Sequence, residues 1–182
     1  MKKILLLGLS LLILSTSVNA SIITGFDDVS SGTFAPFTSN GLDFASNGVG
    51  ITGAWNTTGT PSDNGTNALI VGFGDSVTIT RNGGGLFSVN SFDAGLSWYT
   101  ALSSLAISVG GEIISLGLGY STYTFSSLTN ISSLTIAAGP SDGYFAIDNI
   151  EWTSSDVPIP APIALIGLGL ILISYNQRKK AA

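Results

Sequence analysis

The amino-acid sequence predicts an all-β chain, an antiparallel β-sandwich of jelly-roll type, and three observations predict it. Apolar residues recur two apart along the body of the chain. Clusters of turn-forming residues separate these runs, and no segment between the two ends carries a helical period.

The alternation is the primary signal. Leu69-Ile70-Val71-Gly72-Phe73, Val77-Thr78-Ile79, Leu96-Ser97-Trp98, Leu105-Ala106-Ile107-Ser108-Val109 and Leu134-Thr135-Ile136 set apolar side chains at every second position. Successive residues of a strand point to opposite faces, so this spacing aims one set at a core and the other at water. The punctuation agrees. Asn40-Gly41, Asn47-Gly48, Asp63-Asn64-Gly65, Asn82 to Gly85, Gly110-Gly111 and Gly139 to Gly143 are turn chemistry. Their separation is close to the roughly 8–12 residues of a sandwich or barrel, and about ten or eleven strands are expected. Val, Ile and Thr are abundant, whereas Lys- and Ala-rich helix faces are missing. No repeat of constant period is visible, which sets aside a propeller or solenoid. A β-helix of Ser/Gly-rich coils is the alternative fold.

Charge divides the 182 residues unevenly. Lys2 and Lys3 open the chain, Arg178, Lys179 and Lys180 close it, and Arg81 is the only basic residue between them. The stretch from Asp27 to Asp156 holds that one base and all 11 acids, a net charge of −10. Such a surface repels phosphate backbones, so nucleic acid is excluded as a partner. The chain has no Cys and no His. That removes thiolate nucleophiles, Ser-His-Asp triads, histidine acid–base chemistry and zinc sites of the usual N/S kind.

The ends read as targeting segments around a single domain. Residues 1–20 comprise a basic start, an apolar run from Ile4 to Leu14, and a small-residue stretch closing on Val18-Asn19-Ala20. This is the layout of a secretory signal peptide, cut between Ala20 and Ser21 by a signal peptidase after Sec export. Residues 21–156 form the acidic passenger. Residues 157–182 begin with Val157-Pro158-Ile159-Pro160-Ala161-Pro162, where closely spaced prolines forbid helix or central strand. An apolar segment follows, and Val157 to Tyr175 is long enough to span a thinned bilayer as a transmembrane helix. Arg178, Lys179 and Lys180 act as the membrane stop and stay cytoplasmic, leaving the passenger outside.

That carboxyl end resembles the PEP-CTERM sorting signals of Gram-negative bacteria: a proline box, a glycine-bearing hydrophobic segment and a basic cluster. Val157, Pro158, Pro160 and Ala161 match the box, and Ile159 stands where the family usually carries Glu. The resemblance implies an exosortase-type transpeptidase as partner. It also implies an inner-membrane-anchored precursor facing the periplasm, destined for the cell surface or exterior.

Two passages of the passenger, Ile22 to Asp28 and Gly143 to Trp152, resemble the first and last strands of jelly-roll carbohydrate-binding and galactose-binding-like domains. In those domains an acid after an early Phe and the Asp of an Ile-Asp-Asn motif hold a structural Ca²⁺. The resemblance assigns Asp28 and Asp148 here, and carboxylates are the hard oxygen ligands calcium takes. Otherwise both are solvated carboxylates at strand ends.

For function, the leading expectation is a structural or adhesive component of the cell surface or extracellular matrix, in weak multivalent contact with exopolysaccharide or neighbouring proteins. The alternative is a lectin-like module that stacks sugars on aromatic side chains. Its candidates are Trp55, Trp98, Tyr99, Tyr120 and Tyr123, with Trp98 and Tyr99 foremost because neighbours in a strand face opposite ways. A small glycoside hydrolase is a third reading. It needs only two carboxylates, but the chain has just two glutamates, Glu112 and Glu151, and no flanking sequence marks a catalytic pair. The chain is therefore expected not to be an enzyme and to need no cofactor beyond that structural Ca²⁺.

Overall fold

Thirteen strands and no helix make up the described part of the computed structural model, residues 20–48, 52–72, 74–98, 104–139 and 143–155. The body of the expected signal peptide, the sorting motif and the basic membrane stop lie outside the described residues, as does Tyr99. In chain order the strands are β1 (Ile22–Thr24), β2 (Thr33–Phe34), β3 (Phe37–Ser39), β4 (Leu42–Ser46), β5 (Gly53–Asn56), β6 (Asn67–Gly72) and β7 (Ser76–Arg81). They continue with β8 (Phe87–Leu96), β9 (Leu105–Val109), β10 (Glu112–Leu116), β11 (Ser121–Thr124), β12 (Ser133–Ala138) and β13 (Tyr144–Ser154).

These strands form an all-β, antiparallel, two-sheet sandwich. The larger sheet has the order β11-β8-β13-β6-β5-β2, with β1 also paired to β13; the smaller has the order β10-β9-β12-β7-β4-β3. Consecutive strands often change sheet, as β6, β7, β8 and β9 do in turn. The two strands beyond the expected number are accounted for by β2 and β3, with two and three residues. Runs that short cannot display a period of two.

Alternation builds the core. Val77 and Ile79 of β7, Leu105, Ile107 and Val109 of β9, and Leu134 and Ile136 of β12 are all buried, while the Thr and Ser between them look outward. Phe26, Phe44, Phe87, Phe92 and Phe145 are fully buried and fill the space between the sheets. A buried Phe contributes about 1.5–3 kcal/mol through its apolar surface.

β13 is the spine of the larger sheet. Its first half pairs with β6 and β8, and its second half pairs with β8 and β1. The core side changes parity along it. Phe145 and Ile147 face inward, and so do Ile150 and Trp152, which requires one extra residue between the pairs. The register shifts between Asp148 and Glu151, and Asn149 takes a φ of 49°. This is a β-bulge at one of the few residue types that enters the left-handed region without large cost. The first strand closes the fold against the last. Ile22 pairs with Trp152, and the Trp152 indole N–H donates to Thr24 Oγ1 at 3.0 Å.

Candidate functional site

The outer face of the larger sheet carries a second apolar cluster, separate from the core. Ala68, Ile70, Tyr144 and Ala146 are buried in it, and Trp55, Trp98 and Tyr120 pack over them. The register explains the grouping. β5 sets Gly53 beside Ile70 and Trp55 beside Ala68; β13 sets Ala146 between Ile70 of β6 and Gly95 of β8. A floor of Gly, Ala and one Ile leaves room above it for large rings. Phe34, opposite Gly53, extends the cluster to the sheet edge.

Three rings form a continuous run. Phe34 meets Trp55 edge-to-face at 5.5 Å between centroids, and Trp55 meets Trp98 edge-to-face at 5.7 Å. Phe34 is 56% exposed, and Trp55, Trp98 and Tyr120 are half-buried, so the run is reachable from solvent. Two segments border it. The β5–β6 loop folds back over the sheet, where Ser62 Oγ donates to the Leu96 carbonyl at 2.6 Å. The β10–β11 connection meets it over Gly95. Added to Gly95, a Cβ would lie 2.2 Å from the Gly119 carbonyl oxygen and 2.3 Å from Ser62 Oγ, so only glycine lets both segments close down there.

Among the described residues, three polar side-chain atoms are buried without a hydrogen-bond partner, and all three belong to this region: Trp55 Nε1, Ser97 Oγ and Tyr120 Oη. Ser97 follows the inward Leu96, has no exposed surface, and donates its backbone N–H to the Tyr144 carbonyl. An unpaired buried polar group costs about 1–3 kcal/mol. Among the described residues, all three such atoms thus gather around this one aromatic cluster.

A polar row adjoins the rings. Asp148 of β13 pairs directly with Asp93 of β8, which pairs with Thr122 of β11. Continuing the β6 register by one residue places Ala68, and so Trp55, in the same row. Asp148 is 3% exposed and accepts from Asn64 Nδ2 at 2.9 Å, Thr66 Oγ1 at 3.0 Å and the Asn149 N–H at 2.8 Å. Asp93 accepts from Thr122 Oγ1 at 2.6 Å and Asn149 Nδ2 at 2.9 Å. Burial pushes the Asp148 carboxyl above the usual aspartate range. Its three hydrogen bonds oppose that rise and Asp27 adds to it. Burial likewise holds the Tyr120 phenol well above its ordinary value, with Asp148 and then Asp93 contributing.

Of the aromatic candidates, Trp98 joins the outer cluster, and so do Trp55 and Tyr120. Tyr123 does not: it packs against the core near Phe92, and its hydroxyl donates to the Ser115 carbonyl at 2.8 Å. Asp28 lies in the turn after β1 and Asp148 within β13, and among the described residues the two share no hydrogen-bond partner. Asp28 accepts from Ser39 Oγ at 2.6 Å and the Asn40 N–H at 3.2 Å. Among the described residues no group of three or more Asp, Glu, His or Cys gathers as a metal cluster. Glu112 is on β10 and Glu151 on β13, in different sheets. Phe34, Ser97, Asp93 and Tyr144 join the site without a mark of their own in the sequence. The available signal was β6, whose Ala68-Leu69-Ile70-Val71 run is buried on both faces.

No protein-family model and no curated protein matches the sequence. Solved structures similar to it include carbohydrate-binding modules. A variant of a family 29 module is 18% identical, with 75% of this chain and 93% of that chain covered and a TM-score of 0.46. The C-terminal family 22 module of a Clostridium thermocellum xylanase is 12% identical, with 79% and 100% covered and a TM-score of 0.41. A protein from work on glycan recognition in the Ruminococcus flavefaciens cellulosome is 17% identical, with 76% and 97% covered and a TM-score of 0.39.

Proposed function

We propose that this chain is an exported glycan-binding module whose binding surface is the outer face of the larger sheet. The observation that carries this reading is the ring run Phe34–Trp55–Trp98, standing outside the core with three buried, unpartnered polar atoms around it. Sugar rings present apolar C–H faces and hydroxyl edges. Aromatic faces take the first, and indole N–H, serine and phenol hydroxyls take the second. The proposal rests on these side chains, and it places the lectin-like reading ahead of the structural–adhesive one. A hydrolase is the weaker reading: the two glutamates belong to different sheets, and of the opposed Asp93 and Asp148 the second is 3% exposed.

Export enters the proposal through the chain ends: the expected cut between Ala20 and Ser21 falls one residue before β1 begins. Envelope-fraction protein whose first residue is Ser21 by mass spectrometry supports it, and cytosolic protein retaining its leader refutes it. For binding, the full chain is titrated against a panel of soluble oligosaccharides. Replacing a central aromatic of a binding surface costs about 2 kcal/mol, a loss of roughly thirtyfold. Trp98→Ala and Trp55→Ala are each expected to weaken saturable binding by that order while keeping a cooperative melt. Undiminished binding by both variants would remove this surface from the reading.

A further inference from the structure

We propose that the glycan bound on this face carries free amino groups, so that its ammonium meets Asp93 of the Asp93–Asp148 pair while its ring plane lies on the tryptophans. The proposal rests on the glycan-binding reading above and names its substrate class.

The starting point is a cross-strand pair of like charges. Asp93 and Asp148 are directly opposed in the register of β8 and β13, an arrangement that costs stability when both are ionised. Neutral donors satisfy part of the pair: Thr122 and Asn149 reach Asp93, while Asn64, Thr66 and the Asn149 N–H reach Asp148. None of these brings charge. Arg81, the only basic residue between Lys3 and Arg178, belongs to β7 in the other sheet. The negative potential of this row is therefore not compensated by any base of its own sheet.

The two carboxylates differ in access. Asp148 is nearly inaccessible, whereas Asp93 is half-buried, with one described donor on each oxygen. A carboxylate oxygen accepts two hydrogen bonds, so Asp93 retains capacity for an incoming N–H. The polar row and the ring run meet at Tyr120 and Trp55. Tyr120 packs in the aromatic cluster, its buried hydroxyl lacks a partner, and it feels both aspartates. Fully buried Ser97 adds a second unpartnered hydroxyl beside the same cluster. An ammonium near aromatic faces also gains cation–π attraction. Uronic acid chains meet the opposite condition, because their carboxylates approach a negative row without a cation.

The test compares oligosaccharides of one length and linkage: a β-1,4 glucosamine hexamer, its fully N-acetylated counterpart and a neutral glucose hexamer. Each is titrated calorimetrically into the full chain at mildly acidic pH. At least a roughly tenfold preference for the amine-bearing hexamer is expected, shrinking as salt is raised, and this part requires no variant. Asp93→Asn, which retains an acceptor for Thr122, should remove most of the preference. Asp43→Asn on β4 of the other sheet removes the same charge at a distance and should leave it intact. Equal or tighter binding of the acetylated or glucose hexamer overturns the amine proposal and leaves the glycan reading standing. An equal effect of the two substitutions also overturns it, since net charge alone would then account for the attraction. Failure to bind any hexamer overturns the amine proposal, and failure across the oligosaccharide panel as well overturns the glycan reading.

Discussion

Asp148 shows how a single residue can link folding to pH. It is almost wholly buried, and its carboxyl is raised above the ordinary aspartate value of 3.8 chiefly by desolvation. An acid with a raised folded pKa binds its proton more readily in the native state, so protonation favours folding. Its stabilising contribution is complete below 3.8 and is lost as pH rises through the elevated folded value. The melting midpoint of the native chain should therefore climb, relative to that of Asp148→Asn, as pH is lowered from neutral into the acid range. Parallel midpoints across that range would show that burial does not govern this carboxyl. The residue is legible in the sequence as part of an Ile-Asp-Asn motif, but its partners are not. Asn64 is 84 positions away, and only the docking of the β5–β6 loop brings its amide to the carboxylate.

At the scale of the element, β13 depends on its bulge. Phe145 and Ile147 share one parity and Ile150 and Trp152 the other, so a regular strand would expose one pair. Asn149 absorbs the extra residue at φ 49° and uses its side chain to donate to Asp93. Asn149→Val puts a β-branched residue into the left-handed region and deletes that hydrogen bond. A loss of about 2–4 kcal/mol is expected from the strain and the bond together, read as a lower urea midpoint. Asn149→Gly keeps the backbone free and should lose about 1 kcal/mol, the hydrogen bond alone. Equal losses in the two variants would argue against backbone strain. The parity change is legible in the spacing of Phe145, Ile147, Ile150 and Trp152, because hydrophobic spacing reports faces. The pairing of this strand with β8, β6 and β1 is not, since alternation carries no information about neighbours.

Across the whole molecule, the central place of β13 makes the fold depend on the last of its described strands. Its partners β1, β6 and β8 are spread over the preceding chain, and Ile22 pairs with Trp152 at the far end. Removing a central strand leaves both neighbours with open hydrogen-bonding edges and bares a large part of the core. A chain ended after Gly143 should therefore lack a cooperative thermal transition, whereas one ended after Asp156 should melt cooperatively near the temperature of the full chain. Circular dichroism during heating separates these outcomes, and a cooperative melt of the shorter chain would refute the spine role of β13.

The all-β class, the approximate strand positions, the turn sites, the acidic character of the body and the lack of Cys and His chemistry are legible in the chain before it folds. Each of these follows from residue type or spacing along the chain, where a period of two, a Gly-containing turn or a count of charges is a local property. Which aromatics leave the core emerges from the packing of the two sheets. Trp55, Trp98 and Tyr120 come from separate segments and meet over Ala68, Ile70 and Ala146 because the strand registers place those residues side by side. The same packing turns Tyr123 inward and sets Asp93 opposite Asp148. Register is set by the balance of packing across the whole sandwich, and no short stretch of sequence contains that balance.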